Sequence, residues 1–186
     1  MKKIDRKKVV KEIISTGLYL LGVLLFTYFF VTFIGQRTEV NGDSMETTLA
    51  NGDQLVVDKI SYRFREPQRF DIIVFPFRYL PDTHYIKRII GLPGEIVQID
   101  EAGTIYIDGE VLEESYGREI ISAQKRGLAV LPVILGEDEY FVLGDNRNNS
   151  ADSRDALVGN IRRGDIVGRA WLRIWPFGGF GFLRHQ

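Results

Sequence analysis

Polarity along this chain changes its period once, near the N-terminus. Residues 13–34, IISTGLYLLGVLLFTYFFVTFI, run for 22 positions without a charge. A helix rising about 1.5 Å per residue needs about 20 such residues to span the ~30 Å hydrocarbon layer of a bilayer. The run therefore predicts one N-terminal transmembrane helix. A cleavable leader would have an apolar core of ~7–15 residues and small residues before its cut. This run is longer, and its exit, FIGQRTEV, lacks small residues at the two required positions. A buried helix of a soluble domain normally shows a polar stripe, which 22 uncharged residues do not supply.

From Thr38 onward the pattern shortens to runs of β-branched and aromatic residues separated by Gly, Pro, Asn and Asp, as strands and turns require. Strands are expected at 54–59, 71–75, 85–90, 96–100, 104–107, 139–143 and 166–170, with a further one at 171–175. Asp108-Gly109, followed by Val111-Leu112, signals a tight hairpin. Residues 101–138 read as a small inserted β and loop region, and 113–127, charged and poor in apolar residues, as a solvated excursion. The fold class is mostly β, a barrel-like antiparallel domain preceded by one membrane helix.

Charge sets the direction of the helix. The first twelve residues carry six Lys or Arg against Asp5 and Glu12, and a basic flank stays on the cytoplasmic side. Tyr28, Phe29, Phe30 and Phe33 gather at the far end, where aromatic rings favour the interface. The chain then divides into a cytoplasmic tail (1–12), an anchor (13–34) and an extracytoplasmic domain (35–186). The 186 residues contain no cysteine, which excludes thiol nucleophiles, cysteine-bound metals and disulfides. A net charge of −1 gives no signal for nucleic acid.

Candidate chemistry rests on serine. Of seven serines, Ser44 stands apart in VNGDSMETTL, where Gly42-Asp43 make a turn and residues 46–49 could open a helical turn. A side chain held there presents its oxygen and leaves backbone N–H groups to stabilise an oxyanion, although an N-cap would look the same. A serine nucleophile needs a base. His84, one residue before a strand, and His185, next to the C-terminus, are the two imidazoles. In YIKRII, alternation puts Tyr85, Lys87 and Ile89 on one face and Ile86, Arg88 and Ile90 on the other. If the first face is buried, desolvation lowers the lysine pKa and yields a neutral amine able to take the serine proton. Periodicity alone does not choose the face. The loop LGDNRNNSADSRDALVG collects polar groups, among them Asp145, Ser150, Asp152 and Arg154; Asp152 and Arg154 could pair, and Ser150 could orient an amine.

Taken together, the N-terminal anchor, VNGDSMETTL, NGDQLVVDK, FDIIVFPF, YIKRIIGLPGE and GDNRNNSADSRDALVG closely resemble the bacterial type I signal peptidases, or leader peptidases, of the compact Gram-positive kind. The resemblance implies that Ser44 is the nucleophile and Lys87 its general base. It implies that Ser150 orients the lysine, that Asp152 and Arg154 brace the site, and that Asp145 belongs to the same motif. It also implies exported preproteins as substrates, small residues before the cut, and no metal or organic cofactor. The place of action would be the bacterial cell membrane near the secretion translocon. Met45, Ile86 and Phe75 are candidates to line the pockets. Val74-Phe75-Pro76-Phe77 and Trp175-Pro176-Phe177 either dock on lipid or belong to the core. Three positions depart from the family: Thr47 replaces a usual proline, Glu95 a common aspartate, and Gly42 a serine that assists the oxyanion in some relatives. Other readings are a self-cleaving Ser/Lys regulator of the repressor type, a non-catalytic membrane-tethered binding module, and a serine hydrolase using His84.

Overall fold

The computed structural model describes residues 6–29, 35–80 and 82–183. The expectations placed on Phe30, Phe33 and His185 lie outside those residues. Helix α1 spans Arg6–Phe29, and its Lys7–Tyr28 segment has a mean hydropathy of 1.8 with none of it buried. Leu18, Tyr19, Leu20 and Leu21 are all exposed. Successive residues turn by about 100°, so those four face every side of the helix. An apolar surface on all sides suits a lipid surrounding, and the helix is long enough to cross one.

The body is antiparallel throughout. Its strands are β1 (Gly35–Glu39), β2 (Gln54–Asp58), β3 (Ile72–Pro76), β4 (His84–Gly91), β5 (Ile96–Ile99), β6 (Ile105–Ile107), β7 (Glu110–Val111), β8 (Val133–Ile134), β9 (Glu139–Leu143), β10 (Ile161–Arg162), β11 (Gly168–Trp175) and β12 (Gly181–Phe182). The main sheet runs β1-β2-β11-β3-β4-β9-β10 with β12 added on β11, and a smaller sheet runs β7-β6-β5-β8. No pairing among the described residues joins β10 back to β1, so the barrel-like sheet is open.

Strand β2 alternates, with Leu55 and Val57 buried between half-exposed neighbours. Strands β3 and β4 lie centrally and are covered on both faces. One face of β3 and β4 carries Ile73, Phe75 and Ile89 into a core with Tyr140 and Val142. The other carries Ile72 and Ile86 into a core with Met45, Leu49 and Leu55. The smaller sheet closes over Ile90, Phe141 and Leu143 of the main one. Expected β runs at 166–170 and 171–175 merge, because β11 pairs with β2 along its length through two register shifts. Asp108 and Gly109 both have positive φ and form the two-residue turn joining β6 to β7, as a tight hairpin demands. The small unit starts at β5, five residues before the expected 101. Its 113–127 segment is solvated at most positions, as expected, but it is also anchored: Glu114 and Arg118 find partners in the 144–149 loop, and Tyr116 covers Arg88.

Candidate active site

Ser44 sits on a turn held from below. Met45 and Leu49 are buried in the core, and the Leu49 N–H donates to the Met45 carbonyl at 2.8 Å. The turn thus has an apolar underside and a half-exposed Ser44. Its backbone is fixed from the 144–149 loop, with the Asn146 N–H donating to the Ser44 carbonyl and Asn146 Nδ2 to the Asp43 carbonyl, both at 3.0 Å. The Ser44 N–H donates to no group among the described residues. It is therefore available to an oxyanion forming at the serine.

Lys87 comes from β4, opposite Ile73. Its side chain is 4% exposed, and Nζ lies 2.7 Å from Ser44 Oγ and 2.9 Å from the Ile86 carbonyl it donates to. The Tyr85 ring centroid is 5.1 Å from the same nitrogen. Burial pushes the lysine pKa down to about 8, against the opposing pull of Asp152 and Asp145. Around that pH a sizeable share of Lys87 is a neutral amine. The 2.7 Å contact can then reverse, with the serine hydroxyl donating to nitrogen. His84 lies exposed on the rim of the same groove, and no hydrogen bond joins it to Ser44.

Two buried ion pairs carry the surrounding loops. Asp145 takes a bidentate grip from Arg88, Nε to Oδ1 at 2.8 Å and NH2 to Oδ2 at 2.6 Å, and also accepts from Thr48 Oγ1 at 2.6 Å. Asp152 takes a second from Arg154 at 2.8 Å on each oxygen and accepts the Gly144 N–H at 3.1 Å. Paired buried charges with every guanidinium nitrogen hydrogen-bonded are costly to disturb singly, so they stiffen the loops they join. Thr48, bonded to both Asp145 and Arg88, ties down the turn in which Thr47 replaces proline. Glu95 closes the 92–95 turn by accepting from Leu92 N–H at 2.7 Å and from Arg69.

Two expected roles are not seen. Ser150 Oγ is buried and makes no hydrogen bond among the described residues, so the bond expected from it to Lys87 is not formed. The lysine is held instead by the Ile86 carbonyl. Phe75 does not line the site. It is 2% exposed and meets Tyr85 edge-on in the core with Ile73 and Tyr140, while its neighbour Val74, opposite Ile86, lines the groove. Met45 and Ile86 do line that groove, about 280 Å³ in volume, together with Val40, Val74, Ser44 and Lys87. Sequence reasoning missed Arg88, Thr48 and Asn146. The one available signal was Arg88 beside Lys87, where two adjacent charges within a strand both had to be buried once both of its faces were covered.

Gly144 marks the tightest approach in the site. A Cβ there would lie 2.4 Å from the Ser44 carbonyl oxygen and 2.3 Å from Ser150 Oγ. Gly144→Ala should push the nucleophile turn away from Lys87 and lower kcat/KM about 100-fold, the scale of a ~1 Å misplacement. A variant with unaltered kinetics would contradict the close packing.

A family model described as "Signal peptidase, peptidase S26" matches residues 11–175. "Probable signal peptidase I-2" of Synechocystis sp. is 41% identical over 157 residues, covering 82% of this chain and 68% of that protein. "Signal peptidase I" of Leptolyngbya laminosa is 42% identical, covering 82% and 74%. "Signal peptidase I T" of Bacillus subtilis is 35% identical, covering 92% and 90%.

Proposed function

Since the chain belongs to the signal peptidase family, peptidase S26, and is a serine endopeptidase that cleaves signal peptides, we propose that Ser44 is its nucleophile and Lys87 its general base. Neutral Lys87 takes the Ser44 proton as Oγ attacks the scissile carbonyl. The Ser44 N–H receives the developing oxyanion. Lys87 then protonates the leaving amine, and an incoming water gives its proton to the same nitrogen while it opens the acyl-enzyme. The observation that carries this reading is the 2.7 Å contact between Ser44 Oγ and a lysine nitrogen buried within β4. The part of the groove lined by Met45, Val74 and Ile86 supports small side chains before the cut.

The same reading places α1 in the bacterial cell membrane with the basic tail in the cytoplasm and the β body outside, close to the translocon that delivers preproteins. An enzyme tethered where its substrates are also tethered gains effective concentration without further contacts. Of the two aromatic runs, Val74 and Phe75 are core, whereas Trp175 and Phe177 are exposed at 45% and 76% beside exposed Phe180 and Phe182. Such side chains suit the lipid interface.

Purified full-length protein should cleave a preprotein in detergent at one bond after a small residue. The double variant Trp175→Ser/Phe177→Ser should keep that rate and slow only on preproteins embedded in vesicles. Absence of cleavage in detergent would return the non-catalytic tethered module to consideration. Equal vesicle rates would remove the aromatic face from contact with lipid. A repressor-type regulator is not favoured, since the matching family and relatives are signal peptidases.

A further inference from the structure

The segment 112–122 has no regular secondary structure, yet it is organised. Leu112, Glu114 and Tyr116 are half-buried while Val111, Glu113, Ser115 and Gly117 are exposed, the alternation of an extended chain. Every second residue then reaches the catalytic loops. Glu114 receives both terminal nitrogens of Arg147, a pair whose side chains are 10% and 3% exposed. Arg147 in turn donates from Nε to the Gly144 carbonyl at 3.1 Å. The Tyr116 ring covers Arg88, with the guanidinium carbon 3.6 Å from the ring centroid. The Arg118 N–H donates to the Asp145 carbonyl at 2.8 Å, and its side chain pairs with Glu46 in the nucleophile turn. The Ile120 carbonyl and the Ser122 N–H are both held by the amide of Asn148. Gly117 permits the close approach, since a Cβ there would stand 3.3 Å from the Arg147 guanidinium.

A loop needed only to connect two strands does not make six contacts of this kind, five with residues 144–148 and the Arg88–Asp145 pair and one with the turn bearing Ser44. We propose that residues 112–122 are a positioning strap for the cleavage reaction, with Tyr116 and Glu114 as positioning residues that hold Arg88–Asp145 and Arg147–Gly144 in register with Ser44 and Lys87. The inference rests on the Ser44–Lys87 reading, since those are the groups it positions. Tyr116 acts by its ring face, which shields the guanidinium side of the Arg88–Asp145 pair from water and adds a cation–π contact. Glu114 acts through Arg147, whose contact with the Gly144 carbonyl steadies the residue packed against Ser44.

The strap also affects the base. Facing Lys87 are Asp145 and Asp152, paired with Arg88 and Arg154, together with the Tyr85 ring and Ser44, and His84 lines the same groove. Uncovering Arg88 weakens its neutralisation of Asp145 and admits water. Both changes favour the charged lysine, so the acid limb of the pH profile moves to higher pH. A strap that served stability alone would change the amount of folded enzyme and leave that limb in place.

The test uses full-length enzyme in detergent, with active sites counted from the acyl-enzyme burst. Tyr116→Ala should lower kcat per active site about tenfold, leave KM within about twofold, and raise the acid limb. Tyr116→Phe, which keeps the ring face, should recover most of the rate and the wild-type limb. If Tyr116→Ala does not fold, Glu114→Gln, which preserves shape and removes the charge, should lower kcat per active site by a smaller factor at unchanged KM, with no rise of the acid limb because Arg88 stays covered. Unaltered kcat and pH limb per active site in these variants would overturn the strap. Cleavage by a Ser44→Ala control would instead overturn the dyad, so the two failures are told apart.

Discussion

Lys87→Met should reduce preprotein cleavage by about 10⁴-fold or more, with the protein folded and its substrate still bound. Methionine fills nearly the same apolar volume, so the core of β3 and β4 loses little. What disappears is the one group among the described residues that hydrogen-bonds Ser44 Oγ. General-base assistance alone is worth about 10²–10⁴-fold, and the same nitrogen serves again in the second half of the reaction. The wild-type pH profile gives the companion result. The Lys87 pKa is about 8, and the active form is the deprotonated one. kcat/KM should therefore be level above that pH and fall about tenfold for each unit below it, leaving about one enzyme in a hundred competent at pH 6. A variant that still processes preprotein, or a profile flat from pH 5 to 9, would remove Lys87 from the mechanism.

Ser44→Ala should abolish turnover to the uncatalysed background, a loss on the order of 10⁶-fold by comparison with other serine nucleophiles. The fold should be kept, because the Ser44 carbonyl stays bonded to the Asn146 N–H and Lys87 Nζ, losing the hydroxyl, still donates to the Ile86 carbonyl. Melting temperature within about 2 °C of wild type, and retained binding of a preprotein, should accompany the loss. The double variant with Lys87→Met should be no worse than Ser44→Ala, since groups acting as one unit are not additive. Residual burst-phase acylation in Ser44→Ala would show that another residue is the nucleophile.

Much of this architecture can be read from local pattern. The uncharged run predicts α1, the apolar run in QLVVDK predicts β2, and Asp108-Gly109 predicts its own turn, because each depends on neighbours within a few positions. Strands β1, β8, β10 and β12 were not anticipated. GQRTE carries no apolar alternation, and the other three are two residues long. The Ser44–Lys87 pairing was visible as two motifs but not as a distance, since β4 had two credible faces. The structure covers both, burying Lys87 and Arg88 together. That outcome depends on Asp145, 57 residues beyond Arg88, which no period within one strand reports. The anchoring of the largely exposed 113–127 segment was hidden for the same reason. Its charged composition looks solvated until Arg147 and Arg88 are placed beneath it.

The bond from Lys87 Nζ to the Ile86 carbonyl has a consequence for the durability of the enzyme. In the proposed mechanism each turnover passes through an ester on Ser44 beside an amine that is about half uncharged near pH 8. A free amine in that place would capture the acyl group as an amide and poison the catalyst after one cycle. Restrained by its own backbone and walled by Tyr85, the nitrogen handles protons and is denied the carbon. The tether that makes Lys87 useful as a base thus also spares it from becoming the terminal acceptor.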